Sequence, residues 1–267
     1  MSAAGTAWGI VVRDVIRSTR QRSRLLAGLA RPFVWVFLVG AGFNGIARLH
    51  DGLSYQAFAY PGGVVMAALF GGMLTAISTV YDREFGMLRL MLASPSGVGA
   101  VLSGRTLSAA LVGSMQAAIV LACAPLAVHL TLGQYAAAAA VLLLVSLVSG
   151  TLGLLVAARL TSVENFGGLI NVVLFPLLFL SGALYPTAGM PLLLRTVARV
   201  NPVSYMVDLM RHAFGQRAEF DLRLDLVALI GTAVLAFGLT ALLFDPEQRF
   251  VGKKPSGENR LPTAPTP

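Results

Sequence analysis

Few side chains in this sequence are suited to chemistry, and none of them forms a recognised catalytic motif. Its 267 residues are 56% hydrophobic and only 12% charged, whereas soluble domains have about 25% charged residues. Neither the H-E-x-x-H zinc motif nor the G-x-S-x-G nucleophile motif occurs. His50, His129 and His212 are far apart, and Cys123 is the only cysteine. The sequence therefore predicts no catalytic site, no metal site and no internal disulfide, and it favours an integral membrane protein.

Residues 99–106 read GAVLSGRT and resemble a phosphate-binding loop with Arg105 in the place of lysine. That loop binds phosphate because it joins a strand to a helix, and here no strand is predicted before it. An apolar stretch follows it instead. We therefore expect a flexible turn with a basic anchor at the start of a membrane helix, and no cofactor bound by this chain.

The charged segment at residues 81–95 reads YDREFGMLRLMLASP and mixes polar residues with apolar residues at helical spacing. The polar residues are Asp82, Arg83, Glu84 and Arg89, and the apolar ones are Phe85, Leu88 and Leu92. This pattern predicts a short amphipathic helix parallel to the membrane, with exposed charges that can dock on a cytosolic partner. On the pattern alone, an ordinary interfacial loop with a solvated charge run is slightly favoured.

A second polar segment, residues 199–211, reads RVNPVSYMVDLMR. Its Asn-Pro pair at 201–202 can start a helix. In that helix Asp208 would pair with Arg211 at i+3 and with His212 at i+4. The stretch before it is also apolar, and neither is long enough to span a membrane. Two short helices that dip into the outer leaflet fit this pattern, and a plain external helical hairpin fits it equally well.

Six apolar stretches must position these segments, and each is near the 20 or so residues that a helix needs to cross the hydrocarbon core. They cover residues 26–47, 57–80, 106–128, 135–158, 166–185 and 224–244. Pro176 interrupts the fifth stretch, which predicts a kink or a break. Small residues recur every four positions at Gly63, Ala67 and Gly71, with Gly62 and Gly72 beside them, which favours close helix packing.

The predicted fold class is an all-α integral membrane protein with six transmembrane helices. A single transmembrane domain would cover residues 1–250, and a disordered cytoplasmic tail would cover residues 251–267. Arginine and lysine are concentrated on the side that holds both termini, so both termini are predicted to be cytoplasmic. The net charge of +8 is therefore assigned to the membrane surface and lipid, and not to nucleic acid.

The N-terminal residues predict an amphipathic helix in the cytoplasmic interface, because apolar residues lie on one face and arginines on another. The apolar residues are Trp8, Val11, Val12, Val15 and Ile16, and the basic ones are Arg13, Arg17 and Arg20. No long apolar run precedes them, so we expect no cleaved signal peptide. A solvated helix at the start of a soluble domain is the competing interpretation, and no such domain follows.

Three motifs resemble those of the membrane subunits of type-2 ABC exporters, a family that includes drug, polysaccharide and nodulation-factor export permeases. Residues 83–89, REFGMLR, with the Ser-Pro at 94–95, are similar to the family pattern R-E-x-G-T-L-E…S-P. Residues 102–105 are similar to its l-x-G-K, and residues 201–211 to its N-P-x-x-Y…D…R element. Two positions depart from the first pattern, because methionine replaces threonine at 87 and arginine replaces glutamate at 89.

The resemblance implies a role for each motif. It assigns ATPase coupling to Arg83, Glu84, Phe85, Gly86, Leu88, Arg89, Ser94 and Pro95. It assigns an extracellular re-entrant gate to Asn201, Pro202, Tyr205, Asp208 and Arg211, and an interfacial connecting helix to Trp8, Val12, Arg13, Ile16 and Arg17. The implied partners are a cytosolic ABC ATPase subunit, which would hold ATP and Mg²⁺, and a second copy of this chain or a similar permease. The implied setting is the bacterial plasma (inner) membrane.

Two other classes of function stay open on the sequence. A scaffold or assembly subunit of a membrane complex would share the apolar helices without transporting anything. An intramembrane enzyme would need polar residues near mid-span, and these are scarce. For the exporter, an amphiphile, a lipid-linked glycan and a hydrophobic drug all fit as the substrate.

Overall fold

Helices account for nearly all of the computed structural model, which describes residues 3–45, 53–92, 97–160 and 162–244; no strand occurs within these ranges. The helices are α1 (Ala3–Arg20), α2 (Arg22–Phe33), α3 (Gly40–Phe43), α4 (Tyr55–Glu84), α5 (Met87–Leu92), α6 (Gly97–Ala122), α7 (Leu132–Ala157), α8 (Val163–Phe179), α9 (Leu192–Val200), α10 (Pro202–Phe214) and α11 (Leu222–Leu243). A π-helical segment, Val34–Val39, joins α2 to α3. The all-α prediction is confirmed for the described residues, and the predicted tail lies outside them.

Among the described residues, four helices are long and apolar enough to cross a membrane: α4, α6, α7 and α11. The first and fifth predicted spans correspond to shorter apolar helices at Gly28–Phe43 and Val163–Phe179. Pro176 lies inside α8, and the helix continues past it to Phe179. The structure therefore contains apolar helices long enough to span a membrane, and the number of six spans stays a prediction.

Helix α4 is the centre of the bundle, because it packs against α6 and α7 along its length and against α2, α8 and α10 as well. Glycines allow this contact. A Cβ at Gly71 would lie 2.8 Å from Cα of Gly113 on α6, and one at Gly72 would lie 3.1 Å from the backbone nitrogen of Gly150 on α7. The predicted small-residue face of α4 is therefore confirmed as a helix-packing surface.

Helix α1 lies against α6 and presents an apolar stripe away from the bundle. Trp8, which is 62% exposed, Val12 and Ile16 form that stripe at intervals of four residues. Val11 and Asp14 are buried on the opposite side. An exposed apolar stripe on a helix is typical of one that lies in a membrane interface, which supports the predicted role of α1.

Candidate functional site

Four charged side chains meet where α1, the end of α4 and the start of α6 converge. Arg105 on α6 donates from Nη1 to Asp14 Oδ2 at 3.0 Å and from Nη2 to Asp82 Oδ2. Arg13 donates from Nη2 to Asp82 Oδ2 at 2.9 Å and to Asp14 Oδ1 at 3.0 Å. The four groups form a closed ring of two arginines and two aspartates, which we call the charge ring. It joins three helices through charge-assisted hydrogen bonds.

The charge ring is sheltered from solvent. Arg105 is 1% exposed, and Asp14 and Asp82 are also buried. Two serines add hydrogen bonds to it: Ser78 accepts from Arg105 Nη1, and Ser108 donates to Asp14 Oδ2, each at 3.0 Å. Since a buried charge is costly unless it is paired and hydrogen-bonded, each ion depends on the others.

Arg13 is the half-buried member of the ring. Burial disfavours its charged form, but Asp14 and Asp82 outweigh burial and raise the pKa of the guanidinium above its usual value. The ring pairs two arginines with two aspartates, so its formal charges balance.

Helix α5 lies directly beside the charge ring. Met91 accepts a weak hydrogen bond from Arg105 Nη2 at 3.7 Å, and Leu88 is buried in a small apolar cluster with Ile10 and Val101. Gly86 makes the turn between α4 and α5 with φ +74, a conformation that glycine adopts without steric cost. A short helix therefore follows α4, and its apolar residue Leu88 packs with residues of α1 and α6. It is shorter than the helix predicted from the sequence, because Asp82, Arg83 and Glu84 belong to the end of α4.

The predicted coupling residues take different environments. Glu84 and Phe85 are exposed, and Phe85 is 72% accessible. Arg83 points inward instead: its Nη1 donates to the carbonyl oxygens of Ala157 at 2.9 Å and Leu160 at 2.8 Å. Its guanidinium also lies 5.3 Å from the ring centre of Phe244.

The remaining predicted coupling positions are described less fully. Arg89 belongs to α5, although its side chain is outside the described part. Ser94 and Pro95 lie outside the described residues altogether. The expectation that the charges of the 81–95 segment are exposed is wrong for Asp82, because that carboxylate belongs to the charge ring.

The segment that resembled a phosphate-binding loop is helical. Residues 99–106 lie inside α6, which begins nine residues before the predicted third span. Gly104 serves close packing, since a Cβ there would lie 2.9 Å from the carbonyl oxygen of Ala7 on α1. The flexible turn predicted here is therefore wrong, and the basic anchor Arg105 binds carboxylates rather than lipid or phosphate.

The predicted gate segment forms two helices, α9 and α10, at the opposite end of α4 from the charge ring. Asn201 joins them: its side chain accepts from Val203 N at 3.0 Å and donates to the carbonyl oxygen of Leu177 at 2.6 Å. Pro202 is the first residue of α10, where its missing N–H costs nothing. Tyr205 donates its hydroxyl to the carbonyl oxygen of Arg199.

Asp208 and Arg211 stabilise the connection after α10 rather than each other. The Asp208 carboxylate accepts the backbone N–H groups of Glu219 and Phe220, both at 2.8 Å. Arg211 donates to the carbonyl oxygen of Gly182 at 2.6 Å and lies 3.9 Å from a carboxylate oxygen of Glu219. The i+3 and i+4 pairing expected from the sequence is therefore replaced by contacts to the loops.

Next to these residues is a cavity of about 530 Å³. Its polar lining is mostly basic, with one carboxylate, and comprises Thr187, Arg195, Arg199, Arg211, Gln216, Arg217 and Glu219. Phe58 and Phe220 supply apolar walls. No sequence pattern indicates this cavity, because its lining comes from α4 and the residues just before it, the α8–α9 connection, α9, α10 and the loop after α10.

Sequence reasoning also missed the charge ring. Asp14 is a single acid among the arginines of α1, and the helical pattern alone does not distinguish it from a solvated residue. The signal available was that Asp82 and Arg105 lie at the facing ends of two consecutive apolar stretches, which a short connection must bring together.

This arrangement first defines a class: a polytopic helical membrane protein with polar networks at both ends of its central helix. Comparison with known proteins then identifies the family. The profile of the ABC-2 type transporter family matches residues 7–214, so the chain belongs to that family. It is a permease of an ABC transporter, and membership of the family implies an ABC ATPase as partner.

Three relatives illustrate the similarity. Nodulation protein J of Rhizobium leguminosarum bv. trifolii is 30% identical over 222 residues, which cover 82% of this chain and 85% of that protein. The putative transport permease ycf38 of Porphyra purpurea is 29% identical over 77% of this chain and 72% of that protein. The probable multidrug ABC transporter permease YbhR of Escherichia coli strain K12 is 27% identical over 79% of this chain and 56% of that protein.

Proposed function

We propose that this chain is the membrane subunit of an ATP-driven exporter and that a separate cytosolic ATPase drives it through α5. The observation that carries the proposal is the charge ring beside α5, which links that short helix to α1, α4 and α6. The exposed side chains of Glu84, Phe85 and Met87 at the α4–α5 turn would contact the ATPase.

The contacts of α5 explain how movement would pass into the membrane helices. Leu88 packs against α1 and α6, and Met91 touches Arg105. A displacement of α5 therefore acts on Arg105, and through it on Asp14 and Asp82. These links are ion pairs with little exposure to water, so they transmit force without the screening that weakens surface pairs.

The proposal includes a second copy of the permease, or a similar one, so that two membrane subunits enclose the path. Large apolar side chains on α8, such as Val172 and Phe179, face away from the bundle, as does Leu38 before α3. In the membrane these faces meet lipid or a partner permease. With α5 on the cytoplasmic side of a bacterial inner membrane, both termini are cytoplasmic, and α9 and α10 form the outer gate.

The test is co-purification from the native membrane in a mild detergent, followed by mass spectrometry and an ATPase assay. We expect a stoichiometric ABC ATPase whose hydrolysis requires this chain. The double variant Glu84→Ala/Phe85→Ala should lose the ATPase, whereas Leu126→Ala, an exposed position at the other end of the bundle, should retain it. An intact, well-solubilised chain that brings down no ATPase would favour the scaffold instead.

A further inference from the structure

Three side chains at the junction of α10 and α11 place potential metal-ligand atoms within 4.8 Å of one another: Asp208, His212 and Asp225. Asp208 and His212 are four residues apart, so they lie on the same face of α10. Asp225 is in the first turn of α11. The loop between the helices adds the carbonyl oxygen of Phe220, which is 3.1 Å from His212 Nε2.

The environment of Asp225 points to a bound ligand. The residue is 0% exposed, and neither of its carboxylate oxygens has a hydrogen-bond partner among the residues that the structure describes. Its Oδ2 lies 3.5 Å from His212 Nε2, which is longer than an ordinary hydrogen bond. A buried carboxylate without hydrogen bonds is costly, and a bound cation removes that cost.

We propose that Asp208, His212, Asp225 and the carbonyl oxygen of Phe220 bind a divalent transition-metal ion, with Zn²⁺ the best match, and that the ion fastens α10 to α11. Zn²⁺ binds nitrogen and oxygen ligands at about 2.0–2.2 Å. Ligand atoms around such an ion lie about 3–3.5 Å apart, since tetrahedral and octahedral angles at these bond lengths give that separation. The distances of 3.1 Å and 3.5 Å from His212 Nε2 agree with it.

The donor atoms and the charge of the site also match a Zn²⁺ ion. Two carboxylates and a neutral imidazole balance a divalent cation, and the imidazole selects transition metals over Ca²⁺ and Mg²⁺. The hydrogen bonds from the backbone N–H groups of Glu219 and Phe220 use one lone pair on each Asp208 oxygen, and a second lone pair on each oxygen stays free. These hydrogen bonds also fix the orientation of the carboxylate. The side chain of His212 is 29% exposed and gives the ion a route to Asp225.

The experiment uses the full chain, purified without a polyhistidine tag, stripped with a chelator and then titrated with Zn²⁺. Bound metal is counted by elemental mass spectrometry, and Tm is followed with and without Zn²⁺. We expect about one zinc per chain and a Tm that rises with Zn²⁺. Co²⁺ in its place should give visible absorption bands. Mg²⁺ and Ca²⁺ at the same concentration should leave Tm unchanged.

Three variants make the test specific. Asp225→Asn keeps the shape of the side chain and removes the buried charge, so without metal its Tm should equal or exceed that of the parent chain. With Zn²⁺, Asp225→Asn and His212→Ala should each bind at least about tenfold more weakly, in the range found when a metal ligand's supporting groups are removed. His129→Ala removes an exposed histidine elsewhere and should bind zinc as the parent does.

Equal zinc binding by the parent and Asp225→Asn would overturn the proposal. A metal-free Asp225→Asn chain that melts below the metal-free parent, with no zinc response in either, would also overturn it, because it would show that Asp225 is satisfied by a protonated His212 alone. Neither result depends on transport, so the metal-site proposal and the exporter proposal are tested independently.

Discussion

Arg105 on α6 donates a hydrogen bond to Asp14 on α1 across 3.0 Å, although the two residues are 91 positions apart in the chain. The contact ties α1 to α6 at a point where both side chains are buried. It belongs to the charge ring, in which each aspartate is bonded to both arginines, so the removal of one member leaves each of its two partners with a single opposite charge. The stability of the junction between α1, α4 and α6 therefore depends on these four side chains, which are also the proposed route for transmitting movement.

Arg105→Ala should destabilise the protein by about 3–5 kcal/mol, the range found when one partner of a buried ion pair is removed, because Asp14 and Asp82 lose their buried cation. Unfolding by denaturant in detergent, followed by circular dichroism, measures this. Arg20→Ala removes an exposed arginine at the end of α1 and should change stability by no more than about 0.5 kcal/mol. Equal effects of the two substitutions would show that the charge ring does not stabilise the fold.

Glu84→Ala combined with Arg89→Ala should uncouple ATP hydrolysis from transport while the protein stays folded and inserted. We expect transport per ATP to fall about tenfold, which corresponds to about 1.4 kcal/mol of coupling free energy. Reconstituted vesicles with the ATPase measure both rates. Glu164→Ala, an exposed acid in the first turn of α8, is the matched control. Transport at the parent rate in the double variant would contradict the coupling role.

Arg83→Ala should act on stability before it acts on coupling, because Arg83 bonds the end of α7 rather than facing outward. Loss of its bonds to the carbonyl oxygens of Ala157 and Leu160 should cost about 1–3 kcal/mol. Thermal unfolding of the chain without its ATPase is the measurement. If Arg83→Ala melts like the parent yet releases the ATPase, Arg83 is a contact residue after all.

Gly71→Val should destabilise the bundle by about 1–3 kcal/mol, the usual cost of forcing extra atoms into a packed core. Its Cβ would meet the backbone of Gly113 at 2.8 Å, where nothing can yield cheaply. Gly231→Val on α11 is the control, since nothing lies within 4 Å of a Cβ there. The Tm of each variant in detergent separates the two sites, and matching Tm values would mean that α4 and α6 can move apart without cost.

The helices were predictable where the apolar pattern is long and continuous, as in α4 and α7, because burial in lipid needs only length and composition. The first and fifth stretches were harder, since the π-helical segment at Val34–Val39 and Pro176 leave shorter regular helices. The start of α6 differs from the predicted turn, because Gly99 and Gly104 suggest a turn in the sequence but lie within the helix. In the structure Gly104 lets α1 approach, a reason that only tertiary contact reveals.

The sites were predictable only in part, for a similar reason. Arg83 and Glu84 are adjacent polar residues, and adjacent residues on a helix point in different directions. Which of them turns inward depends on the carbonyl groups at the end of α7, more than 70 positions away. Likewise, His212 and Asp225 come together through the fold of the loop between α10 and α11, and no spacing rule connects them.

The glycine-rich surface of α4 also bears on how the protein is made. Ribosomal synthesis runs from the N-terminus, so α4 enters the bilayer before α6 and α7 exist. Its sides are apolar in every direction, which lets it reside in lipid alone during that interval. Lipid chains then give way to Gly113 and Gly150 as the later helices arrive. The composition of α4 is therefore compatible with lipid before its neighbours are made, and its glycines leave the room that α6 and α7 later fill.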